Sequence, residues 1–171
     1  ELAILGRNDY LPWQAAKVCF QHQRDFNYLE ARHLWEDARV DSDGVHLAGM
    51  HYRALIVEDD PPSQAKDAIE VLTQAGRIIR WDETMGPARL VEAIDRLIPP
   101  DVQVTPGTPD LRIRHMRKQE TDYYLVFNEG ENDLNVRLKL SVQGRWTLLD
   151  PLTAGDRAVA VSYTHLRAHE T

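Results

Sequence analysis

The chain has 171 residues, 43% of them hydrophobic and 27% charged, globular proportions that suit one medium domain or two small ones. Twenty lysines and arginines against 27 aspartates and glutamates give a net charge of −7, which argues against a general nucleic-acid or anionic-membrane binder. A single cysteine, Cys19, excludes an internal disulfide framework and any multi-cysteine metal site, and no apolar run reaches the roughly 20 residues of a membrane-spanning helix.

Residues 1–100 alternate strand-like and helix-like segments. Leu2-Ala3-Ile4-Leu5 before Gly6 suits a buried strand of a parallel sheet. Pro12 opens a helical stretch whose apolar face is read as Trp13, Ala16 and Phe20, widened by Ala15 and Cys19. Phe26–Leu29 reads as a second strand and Glu30–Ala38 as a short helix. Asp43-Gly44 and Ala48-Gly49 are turn signals at hairpin spacing, and Ala54–Val57 is the clearest buried strand. Pro61-Pro62-Ser63 starts a helix with Ala65, Ala68, Ile69 and Leu72 as its stripe and Gly76 at its C′ position. Ile78-Ile79 follows as a strand, and Gly86-Pro87 starts a helix facing inward with Leu90, Ile94 and Leu97 until Pro99-Pro100 stops it. Strand, helix, strand, helix with short connections predicts an α/β domain with a parallel sheet and flanking helices.

Residues 101–110, rich in Pro, Gly and Thr, read as a linker. Beyond it the period becomes two: Leu134, Val136, Leu138 and Leu140 alternate with Asn135, Arg137, Lys139 and Ser141. Tyr123–Phe127 and Gly144–Leu149 read as neighbouring strands, with Glu129–Asn132 as a hairpin turn. Residues 111–160 therefore predict an antiparallel module, too short to close a sandwich and hence less stable than the α/β domain.

The last eleven residues, Val161–Thr171, resemble one reading frame of a sequencing-library adapter. His165 and His169 within them stand at i, i+4, a metal-pair spacing on a helix that this resemblance discounts. With Glu1 at the other end, the chain reads as a fragment cut at both ends.

Ligands of an open α/β sheet bind beyond the carboxyl ends of its strands. Those ends carry Asn8-Asp9, Glu58-Asp59-Asp60 and Asp82-Glu83, an acidic rim able to hydrogen-bond sugar hydroxyls or hold Mg²⁺. The alternative is that acids near helix starts cap them. Trp13, Trp35, Trp81 and Trp146 could stack on sugar rings or fill the core, with Trp81 the best stacking candidate at a strand's carboxyl end. The candidate ligand-binding residues are thus Asn8, Asp9, Asp59, Trp81 and Asp82, with no catalytic residue, metal ligand or cofactor assigned. Ala54–Asp60 looks like the opening of a receiver domain, but no strand ending in an aspartate stands 45 to 50 residues later. Glu129 in Asn128-Glu129-Gly130 lacks the second carboxylate that glycoside hydrolysis requires. Cys19 reads as a small core residue, and His22, His33, His46, His51 and His115 as showing no ligand spacing with a supporting acid.

Three segments carry a resemblance: Asp25–Leu29, Asp43-Gly44-Val45 and Tyr52–Val57. In that order they resemble the flavodoxin-like domain that follows the catalytic region of large bacterial glycoside hydrolases, nearest to the α-L-rhamnosidase-like enzymes of glycoside hydrolase family 106. Arg112–His115 and Asp122–Gly130 look like the first strands of their C-terminal β-sandwich. Trp146–Gly155 looks like its WDPxTG segment, with Leu149 where the motif has Trp and an extra Ala154. The resemblance implies a non-catalytic accessory region whose partner is a catalytic barrel in the same parent chain, with carbohydrate as a further contact. The alternative reading is a stand-alone sugar- or metal-binding α/β module.

Overall fold

The computed structural model describes residues 1–82, 84–150, 153, 155–159 and 164–166, the last two stretches as backbone. Glu83, Pro151, Leu152, Ala154 and His169 lie outside the described residues. The chain divides into two compact units, Glu1–Phe20 with Arg24–Pro99, and Gln21–Gln23 with Pro100–Thr171. No described helix is long and apolar enough to cross a membrane.

The first unit runs β1 (Leu2–Gly6), α1 (Gln14–Gln21), β2 (Asn27–Glu30), α2 (His33–Glu36), β3 (Arg39–Asp41), β4 (Gly44–Leu47), β5 (Met50–Tyr52), β6 (Ala54–Val57), α3 (Lys66–Gln74), β7 (Ile78–Arg80) and α4 (Pro87–Leu97). Strands β2-β1-β6-β7 form one sheet, parallel throughout. Strands β3-β4-β5 form a separate antiparallel meander within the connection from β2 to β6.

The uninterrupted apolar runs in β1 and β6 follow from burial on both faces. Leu2, Ile4, Ala54 and Ile56 face one way, into a cluster with Val18, Cys19, Leu90 and Ile94. Ala3, Leu5, Leu55 and Val57 face the other, into a cluster with Leu34, Val45, Tyr52, Ile69 and Leu72. Helices α1 and α4 cover the first face; α2, α3 and the meander cover the second.

The buried stripe of α1 is Ala15, Ala16, Val18 and Cys19. This corrects the expected face, since Trp13 is 59% and Phe20 50% exposed. Small side chains let the helix approach the sheet closely, which a stripe of Trp and Phe would prevent. Arg24 closes this layer by gripping Asp95 of α4 through two parallel bonds, Nε–Oδ1 at 2.6 Å and a terminal nitrogen–Oδ2 at 2.7 Å, the forked geometry in which arginine pairs best with carboxylate. Pro87 stands at the first turn of α4 behind Gly86, and the helix from Pro61 opens as a 3-10 turn, Ser63–Ala65, leading into α3.

The second unit contains β8 (Val102–Thr105), β9 (Leu111–Lys118), β10 (Thr121–Asn128), β11 (Val136–Leu140), β12 (Trp146–Asp150), β13 (Gly155–Val159) and β14 (Thr164–Leu166). Within the stretch whose composition reads as a linker, Val102 and Val104 set a period of two, and β8 pairs antiparallel with β11. Residues Glu129–Asn132 join strands of different sheets, since β10 pairs with β9 whereas β11 lies between β8 and β14. Strand β12 pairs with β13. β11 alternates as expected, with Val136 and Leu138 buried and Arg137 and Lys139 exposed. The antiparallel pairs make a mixed α/β chain; a closed sandwich is not among the described sheets.

A polar network ties these sheets together. His115 lies between two carboxylates, Nδ1 at 2.7 Å from Asp101 Oδ2 and Nε2 at 2.8 Å from Asp122 Oδ1. Its ring stacks on Tyr124 at 4.2 Å, whose hydroxyl donates to Asp101 at 3.0 Å. The Ser141 hydroxyl also donates to Asp101. Glu129 is held by Arg112 at 2.6 Å.

The apolar clusters differ in depth. Strand β6 is buried at every residue, whereas among the described residues the cluster of the second unit has four buried side chains, Val102, Leu111, Val136 and Leu138. Amides of residues 54–79 are therefore expected to exchange with solvent far more slowly than those of residues 111–150. Equal protection by native-state hydrogen exchange would contradict this order. The meander depends on Gly44, whose φ of +143° excludes most side chains and whose added Cβ would overlap the Tyr52 carbonyl. Gly44→Ala is expected to cost roughly 2–3 kcal/mol in urea unfolding, and a near-zero cost would show that β4 and β5 can part without consequence.

Candidate functional site

The carboxyl ends of the four parallel strands gather most of the candidate residues. After β1 the chain makes a tight turn, Arg7 N donating to Tyr10 O at 2.9 Å and Tyr10 N to Arg7 O at 3.2 Å. Asn8 and Asp9 occupy its tip, and Asp9 meets Arg7 Nε at 3.2 Å with 77% of its side chain exposed. Leu11 and Trp13 follow as exposed apolar side chains. The Tyr28 hydroxyl donates to Pro12 O at 2.7 Å and fastens this loop to β2.

Glu58 follows directly after β6, and its Oε1 accepts from Ala15 N at 2.7 Å. The carboxylate thereby fills one of the unpaired donors that every helix leaves in its first turn, here that of α1. Burial raises the pKa of Glu58, the Ala15 bond opposes this, and the neighbouring Asp59 adds to the rise. Asp59 and Asp60 point to solvent. The same acids act on Tyr10, whose hydroxyl pKa is raised by desolvation and then by Glu58 and Asp59.

After β7 the two candidates part. Trp81 is 6% exposed and packs in the core with Leu90 and Ile94, its indole nitrogen buried without a hydrogen-bond partner. Asp82 stays at the surface, where its Oδ1 accepts from the Thr84 hydroxyl, from Thr84 N at 2.8 Å and from Met85 N at 3.1 Å. These bonds, the Thr84 side chain first, hold its pKa below the usual carboxylate range. Asp82 is thus engaged in shaping the loop before α4. Asn8 and Asp9 follow β1 and Glu58 and Asp59 follow β6, which are adjacent strands; Tyr10, within electrostatic reach of Glu58 and Asp59, and Trp13 follow β1 as exposed rings. Carboxylates there can accept from hydroxyls while a flat ring offers an apolar face. Cys19 does none of this chemistry, because burial pushes its thiol up to about 12.

A second cluster was not read from the sequence. Asp43, His46 and His51 bring one ligand atom each to within 4.8 Å of one another. The signal was present: with Ala48-Gly49 as the turn, Leu47 pairs with Met50 and His46 with His51. Counting pairs outward from that turn would have set the two histidines side by side. Their rings stack at 4.2 Å and 8°. Asp43 joins them only through the fold of the β3–β4 turn, which no spacing rule reveals.

No protein-family model matches the chain, and no curated protein matches it.

Because the folded-state pKa of Glu58 lies above its unfolded value, the stability it contributes is present in full below the usual glutamate range and is lost as pH rises through the raised value. Glu58→Gln keeps the acceptor for Ala15 N and removes the charge. The variant is expected to match the parent near pH 4 and to exceed it in urea unfolding at pH 7. A less stable variant at pH 7 would show that the carboxylate's charge at the α1 N-terminus outweighs its burial.

Proposed function

We propose that the chain is a non-catalytic accessory region of a larger bacterial glycoside hydrolase, α-L-rhamnosidase-like and akin to glycoside hydrolase family 106. In this reading its first unit is a flavodoxin-like domain and its second a part of a β-sandwich. Together they support a catalytic barrel in the same parent chain, and the strand-end loops lend carboxylates and rings to the rim of its substrate cleft.

The observation that carries the reading is the uncovered face of the β9–β10 pair. Tyr123, Leu125 and Phe127 alternate along β10 and lie opposite Met116, Arg114 and Arg112 of β9. Leu125 is 62% and Phe127 63% exposed, with Met116 and Tyr123 near half exposure. A strand that alternates apolar side chains on a face open to water is built to be covered. Further strands of a sandwich, or the barrel itself, supply such a cover. At the other unit, the loops after β1 and β6 carry Tyr10, Trp13, Asp9 and Asp59, residue types with the chemistry of a sugar-contacting rim.

The test is the flanking DNA of the source locus, read with sequencing adapters trimmed. The expected frame contains a barrel-sized region before Glu1 with two candidate catalytic carboxylates, and further β-strands after Ala160. A start codon directly before Glu1 and a stop codon soon after Ala160 would overturn the proposal. On the protein itself, Trp13→Ala and Asp59→Asn are expected to weaken oligosaccharide binding by the barrel-containing parent without abolishing hydrolysis, because neither side chain would touch the reacting atoms. Loss of turnover with unchanged binding would place the catalytic machinery here instead.

A further inference from the structure

We infer that Asp43, His46 and His51 form a binding site for a divalent transition-metal ion of zinc type. The site lies on the outward face of the β3–β4–β5 meander, within the first unit alone, and does not depend on the accessory-region proposal. Val45 and Tyr52 turn inward to the core, so their neighbours His46 and His51 turn outward by strand alternation. Cross-strand pairing sets the two imidazoles directly opposite each other.

Three observations point to a cation. First, His46 Nε2 is a buried polar atom without a hydrogen-bond partner; its nearest acid, Asp41 Oδ2, stands at 3.5 Å. Second, the ligand atoms of all three residues lie within 4.8 Å of one another, with Asp43 Oδ2 at 3.4 Å from His51 Nε2. Third, the carboxylate is positioned from behind. Arg77 donates through Nε to Ser42 O at 3.1 Å and through its terminal nitrogen to Asp43 Oδ1 at 3.3 Å, which leaves Oδ2 turned toward the histidines. Asp41 braces the same turn by accepting from Asp43 N at 2.8 Å.

The donor set selects the ion. Two neutral imidazoles and one carboxylate suit Zn²⁺ and its neighbours, whereas Mg²⁺ and Ca²⁺ require mostly oxygen ligands. Local charge adds no preference for a hard cation, because Arg39 pairs with Asp41 and Arg77 with Asp43. At zinc–ligand distances of about 2.0–2.2 Å, tetrahedral donors stand roughly 3.3 Å apart. Atoms already within 4.8 Å reach this by side-chain rotation, at the cost of the parallel stacking of the two rings and of the 3.1 Å bond between His51 Nε2 and Asp43 O. Three protein ligands leave a fourth position for water or for a group from outside the meander. The bound ion would cross-link the β3–β4 turn to the β4–β5 hairpin.

The test titrates the full chain, stripped with a chelator, with ZnCl₂ in competition with a chromophoric zinc indicator. One saturable site is expected, with no binding of MgCl₂. His46→Gln and His51→Gln are each expected to weaken it by about tenfold or more, with circular dichroism confirming that each variant is folded. Asp43→Asn, at an exposed turn position, gives a second variant of low folding risk and is expected to weaken binding as well. The paired change His165→Ala and His169→Ala should leave affinity unchanged. Absence of saturable binding, or binding that survives all three triad variants and disappears with the tail pair, would overturn the assignment.

Discussion

Everything in the first unit answers to one constraint: β1 and β6 are apolar on both sides and must be kept dry on both sides. A strand half exposed to water can be stabilised by one covering layer, but a parallel strand such as Ala54–Val57, buried at every residue, needs two. The chain supplies α1 and α4 for one face and α2, α3 and the meander for the other. Once both faces are sealed, the ends of the strands are where the sheet meets solvent, and polar side chains collect there because no layer covers them. The acidic rim is in this sense a by-product of burial before it is a site.

That constraint explains why most of the first unit was legible in the sequence. Continuous apolar runs, Gly and Pro at the ends of helices, and turn pairs at Asp43-Gly44 and Ala48-Gly49 each report a local demand of the backbone. What was misjudged concerns which side of an element faces inward. Helical spacing puts Trp13 and Phe20 on the apolar face of α1 with Ala15, Ala16 and Cys19, yet the sheet accepts only the small residues of that face, together with Val18. Trp81 was selected for its place at a strand end, but it shares the parity of Ile79 and follows it into the core. Both positions show that the direction of a side chain is settled by neighbours distant in sequence.

The second unit is governed by a different balance. Its apolar cluster is small, and a charged and aromatic network around His115 does much of the joining between strands. Pairing a histidine with two carboxylates in partly exposed surroundings contributes less per contact than closing an apolar core, because solvent screens it. Strand alternation in β11 was readable, whereas the partners of each strand were not: pairing β8 with β11 spans more than thirty residues of sequence, and only tertiary contact decides it.

The meander occupies a position that, in a parallel sheet, is ordinarily taken by a crossover helix. Here the chain leaves β2, passes through the single turn of α2, folds a three-stranded patch, and returns to pair β6 beside β1. The inward residues of that patch, Val45 and Tyr52, share with Leu34 of α2 the covering that a longer crossover helix would otherwise do. Its outward face is tied to the parent sheet through Arg77, which reaches from just before β7 to Ser42 and Asp43. Lengthening, shortening or recolouring that face changes what the surface can hold while leaving the sheet's registry intact, so the crossover is the part of this domain most open to evolutionary revision.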